Sequence, residues 1–156
     1  MAIQFSSWLH PWVLLGWVAL LSFVFAKVEI HIEGDAGWAA NLPTWRIEQH
    51  WLLDIFWGGR PMTGYHAWMF SFIAFVFHLP VFMSGQWTLK LEARILGCLM
   101  AFWIIEDFLW FLFNPAFGLR KFRRELIPWH KDWLFGVPTD YVVFTIVGSF
   151  LFAYAF

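Results

Sequence analysis

A single cysteine, Cys98, in 156 residues leaves no intrachain disulfide, so packing alone must hold the fold. Charge is scarce as well. Lys, Arg, Asp and Glu make up 13% of the chain and the net charge is −1, so nothing in the charge balance suggests a nucleic-acid partner. Neither a GxGxxG nor a GxxxxGK[ST] phosphate loop occurs. HExxH, HxxxH and HxxHH are all missing, which removes the helical zinc-protease and histidine-box patterns. No serine lies in a GxSxG context, so a nucleophile elbow is excluded. The N-terminus lacks the basic region of a cleavable signal, and its first apolar segment is expected to stay in the protein.

Apolar and aromatic residues fill the space. Hydrophobic residues reach 61% and aromatics 23%, with 13 Trp and 20 Phe. A soluble bundle needs a charged exterior, and so few ionisable groups cannot cover several long helices. Lipid removes that need, and Trp and Tyr suit its interface, where ring and polar edge are both satisfied. The expectation is therefore an all-α integral membrane protein, a single domain over residues 1–156. Four transmembrane helices are expected, at about 8–30, 65–83, 93–113 and 139–156. Ser6 or Ser7 would cap the first, with Trp8 near its start, and Thr139 would cap the last. Pro80 is expected to kink the second, and Asn114-Pro115 to stop the third. Ala93, Gly97 and Ala101 form a stripe of small residues on the third, along which a neighbouring helix can come close.

Two connecting segments carry patterns of their own. Residues 27–33 alternate polar and apolar, which fits a strand. A helix running past the membrane surface fits equally, and would make Glu29 and Glu33 i,i+4 neighbours. Residues 44–57 read as an amphipathic helix too short to span, with Ile47, Trp51, Leu52 and Ile55 on one side. It is expected to lie in the interface.

Lys27, Arg46, Arg60, Arg120, Lys121, Arg123, Arg124 and Lys131 fall in the first and third connections, against Lys90 and Arg94 on the other side. Positive residues favour the cytoplasm, so the chain is expected to be N-out and C-out. The basic cluster also suits anionic lipid headgroups.

This topology gathers Glu29, His31, His66, Glu106, Asp107, His130 and Asp132 on one half of the bundle. Glu106-Asp107 is the sharpest feature, because a carboxylate inside an apolar span is costly unless paired, protonated or facing a wet cavity. Adjacent helical residues point ~100° apart, so the two acids serve different neighbours. Asp107 lies closer to the small-residue stripe. Glu106, Asp107 and His130 are the candidate catalytic groups. Glu29, His31, His66, Glu106 and His130 would form a mixed imidazole and carboxylate set suited to a divalent ion such as Zn, Fe or Mn. The leading reading is a membrane-embedded, metal-dependent enzyme acting on an apolar or lipid-like molecule. Two others stand beside it. One is a non-enzymatic subunit of a larger membrane complex or homo-oligomer, holding pigment, quinone or haem, with His78 as the axial ligand. The other is a proton or cation pathway through Glu106 or Asp107.

Overall fold

The computed structural model describes residues 10–156. Ser6, Ser7 and Trp8, expected to open the first span, lie outside them. The protein is mostly helical (66%), and three helices are long and apolar enough to cross a membrane. These are α1 (Pro11–Glu33), the segment Gly64–Ser84, and the central helix Leu89–Phe113. A shorter apolar helix, Thr139–Ala155, closes the chain.

Helix α1 settles the ambiguity of residues 27–33. Nothing interrupts its hydrogen bonds until Gly34, whose φ of 67° turns the chain away while its N–H bonds Ile30 O at 3.0 Å. Glu29 and Glu33 therefore lie one turn apart on the buried face, and His31 lies on the exposed one.

The helix expected over residues 44–57 is only partly present. Arg46–Ile47 forms strand β1, and helix α2 covers only Trp51–Phe56. Strand β1 pairs antiparallel with β2 (Met62–Thr63), which draws its backbone groups into a ladder and away from helical bonds. His50 then starts α2 by accepting the Leu52 N–H at Nδ1, 3.2 Å away.

Helix α3 (Gly64–Phe77) is capped by Thr63, whose hydroxyl accepts the His66 N–H at 3.1 Å. It breaks at His78 and resumes as α4 (Leu79–Ser84), because Pro80 lacks an N–H and crowds the preceding turn. Helix α5 (Leu89–Phe113) begins a turn earlier than expected, capped by the Thr88 hydroxyl on Leu91 N–H, and ends at Asn114 as expected. Strands β3 (Trp133–Leu134) and β4 (Val137–Pro138) form a hairpin turned by Phe135 and Gly136, both at positive φ. The hairpin delivers the chain directly into α6 (Thr139–Ala155). Thr139 is thus the first helical residue and not the cap; Pro138 occupies the cap position without a side-chain bond.

Helix α5 is the axis, with α1 and α6 packed extensively against it and α3 touching it only lightly. The small-residue stripe faces α6. A Cβ on Gly97 would meet Gly148 O at 3.1 Å and Phe152 N at 3.3 Å, so the two backbones come this close only because Gly97 has no side chain. Two apolar clusters hold the bundle. One joins Ala26, Ile30, Trp110, Phe111 and Ile127; the other joins Val18, Ile73, Cys98 and Phe102. Large side chains such as Trp17, Phe72, Phe75 and Phe150 point outward, an exterior matched to lipid.

Candidate functional site

A cavity of about 540 Å³ opens between α3 and α6 over the face of α5. Its inner end is polar, formed where α1 ends, α3 and α6 begin, and α5 passes. Glu29 and Glu33 come from α1, His66 from α3, Glu106 and Asp107 from α5, and Asp140 and Tyr141 from α6. Helix termini meeting at one level bring together acids that are far apart in the chain. Away from that end the walls are Met69, Phe70, Ala74, Leu99, Trp103, Ile104, Val143 and Phe144. Ala74 lies eight residues past His66, so the apolar cleft reaches ~12 Å along α3 from the polar end.

The polar end divides into two networks. In the first, His130 Nε2 lies 3.1 Å from Asp107 Oδ2, and the Tyr141 hydroxyl donates to the same oxygen. Arg60 Nη2 approaches His130 Nδ1 at 2.9 Å and also pairs with Asp140. Both imidazole nitrogens are occupied, with Nδ1 accepting from Arg60 and Nε2–H donating to Asp107. Burial of the ring opposes its protonation, but the Asp107 carboxylate, with Asp140, outweighs this and raises the His130 pKa above its ordinary value. A protonated ring would give up the Arg60 bond and turn Nδ1–H toward Asp140 Oδ1, 3.7 Å away.

The second network is acidic. Tyr65 donates its hydroxyl to Glu29 Oε1 at 3.0 Å, and Glu106 lines the same polar end of the cavity. Glu106 is 3% exposed, and no N–H or hydroxyl donor among the described residues reaches its Oε1. Glu33 accepts the Ala39 N–H at 2.5 Å, in a turn where Trp38 and Ala39 hold φ of 58° and 52°. Non-glycine residues there are strained. The strain is held by side chains at both positions. Trp38 lies stacked 4.0 Å from His66, with the Arg60 guanidinium 5.0 Å from its ring, and Arg46 donates to Ala39 O. His66 Nδ1 bonds Thr63 Oγ1 at 2.7 Å, and its Nε2 is 3.9 Å from Glu33 Oε1.

Of the residues singled out in the sequence, Glu29, His66, Glu106, Asp107 and His130 line one cavity, and Asp132 reaches its exposed rim. His31 does not join them. It lies on the outer face of α1, with Nδ1 2.7 Å from Lys27 O. Among the described residues no group of three or more His, Cys, Asp or Glu is arranged to hold a metal ion. His78 lies ~18 Å away along α3, with Nδ1 on Ala74 O at 2.7 Å and Nε2 on Glu92 Oε1 at 3.2 Å, and does not join this cavity. Sequence reasoning missed Glu33, Trp38, Tyr65 and Tyr141 as site members; for Arg60 the Gly58-Gly59-Arg60-Pro61 turn already allowed a place at this face beside a carboxylate, and Asp140 is that carboxylate. Glu33 carried a signal in its i,i+4 spacing from Glu29; Trp38 carried none, because a loop delivers it.

No family model, no curated protein and no solved structure matches this chain.

Proposed function

We propose that the protein is a four-span membrane enzyme whose buried carboxyls carry out acid–base chemistry on the polar end of an amphipathic, lipid-like molecule. The observation that carries this reading is one continuous cavity, in which the unpartnered Glu106 carboxyl sits at the head of an apolar cleft. A chain entering laterally between α3 and α6 would present its head to Glu106. Glu106, with Glu29 lining the same polar end, is placed to give or take a proton at that head, which is what general acid–base catalysis needs. Asp107, His130, Tyr141 and Arg60 form the wall that positions this pair and fixes the start of α6.

Four crossings are supported by α6 itself. It runs antiparallel beside α5 from Tyr141 against Asp107 to Ala155 O, which accepts from Arg94 at 2.9 Å. A helix alongside that much of a spanning helix shares its bilayer depth. The orientation proposed is N-out and C-out, with the basic connections cytoplasmic. The exposed Trp45 and Trp51 fit residues 44–57 to the interface at the same side.

The test is lipid analysis of wild-type and Glu106→Gln protein, each purified in nanodiscs cut from the expressing membrane. The expected result is a bound amphiphile in both, with a chemically altered form only in the wild type. Identical bound species in the two preparations would reduce the protein to a binding module. Elemental analysis of the same samples covers the metal-dependent form of the reading: stoichiometric Zn, Fe or Mn lost in Glu106→Gln would replace acid–base chemistry with metal-activated water.

A further inference from the structure

The charge balance of the cavity identifies the kind of head it accepts. Glu29, Glu33 and Glu106 are all buried at the polar end, and among the described residues no Lys or Arg forms an ion pair with any of them. Arg60, which lines the same cavity, is committed to Asp140 and His130. Lys131 lies exposed at the rim. Buried acids at membrane depth need either protons or a cation, and here the protein supplies no cation. Glu106 adds the independent sign of a ligand: it is 3% exposed, lines the cavity and finds no donor for Oε1. Aromatic rings line the same cavity. Phe70 and Trp103 meet edge to face at 4.5 Å, both on the cavity wall. Carboxyl groups beside Trp and Phe rings attract an alkylated ammonium and repel a phosphate or carboxylate head.

We infer that the cavity binds an amphipathic organic cation, an amine or quaternary ammonium on an apolar chain, with Glu106 as its counter-ion and Trp103 and Phe70 as its aromatic walls. The inference rests on the reading above that a lipid-like molecule occupies the cleft, and it adds the sign of the head's charge.

Three probes of equal chain length separate the two ideas: decyltrimethylammonium, decanol and decyl sulfate, titrated into nanodisc-held protein and followed by Trp fluorescence and calorimetry. The expected result is saturable binding, with the ammonium roughly tenfold or more tighter than decanol and the sulfate weakest. Glu106→Gln should bring the ammonium down to the decanol level, and Glu29→Gln serves the same purpose if Glu106→Gln fails to fold. Ala74→Phe, which fills the cleft without touching a charge, should weaken ammonium and decanol alike. Equal binding of ammonium and decanol to wild type, or a preference that survives both Gln variants, overturns the cationic head and leaves the lipid cleft standing. Unsaturable uptake of all three, indifferent to Ala74→Phe, overturns the cleft as well.

Discussion

The two ends of the bundle carry similar residues and differ in what they do with them. At the far end, His78, Glu92 and Trp87 form a half-exposed chain, with Trp87 Nε1–H donating to Glu92 Oε2 at 3.0 Å and His78 on the other oxygen. Arg94 lies 4.2 Å from the Phe156 ring and donates to Ala155 O, leaving its Nε as the unsatisfied atom there. At the cavity end Glu29, Glu33 and Glu106 are buried and border a 540 Å³ space. Ionisable residues near a membrane surface are thus no signal by themselves. A carboxyl becomes a candidate when it is buried, lacks a partner and borders a volume that something else can fill.

Five substitutions break or sharpen this contrast, each read as unfolding of purified protein in detergent. The largest effect belongs to Arg60→Ala, which strips Asp140 of its cation and His130 Nδ1 of its donor together; a loss of about 3 kcal/mol is expected. Gly97→Val tests the close α5–α6 approach beside the Gly148 carbonyl, with a cost of roughly 2 kcal/mol and a lower melting temperature. Glu106→Gln should move the other way, stabilising by about 1 kcal/mol because a buried acid without a donor is removed, while activity falls about a hundredfold. A destabilised Glu106→Gln would mean that the carboxyl is structural. His130→Gln carries a pH signature. The His130 pKa is raised in the fold, so its stabilising share is complete below the ordinary value of 6.5 and fades as pH climbs through the raised value. The wild-type advantage over His130→Gln should therefore be greatest near pH 5.5 and shrink by pH 8.5; a constant gap would contradict the charge pairing with Asp107. The smallest effect is expected at the far end, where Glu92→Gln should change stability by under about 0.5 kcal/mol and leave ammonium binding untouched.

How far the site was legible follows from the same contrast. Glu106 and Asp107 announced themselves because an acid inside Phe, Trp and Ile has to be explained, and their divergence on α5 follows from helical geometry: Asp107 meets Tyr141 of α6 and His130, while Glu106 is buried with no donor on its Oε1. His31 was grouped with them on the strength of its segment alone. Once residues 27–33 continue as helix, the two-residue step from Glu29 carries it to the outer face. The helix expected over 44–57 shortened because its backbone found β2, a partner that local periodicity does not reveal.

What the sequence determined by itself is the solvent. Too little charge and too much Phe and Trp leave lipid as the medium, and apolar runs of spanning length place three of the helices. Breaks at Gly34, Pro80 and Asn114-Pro115 follow from backbone chemistry that each residue carries with it. The tertiary structure alone decided which acids meet, which are paired and where the empty volume lies. Those properties depend on loops that deliver Arg60, Trp38 and His130 from outside the spans, and on the light contact between α3 and α5 that leaves the cleft open. Partnering of a buried charge is a relation between distant segments, and no local pattern records it.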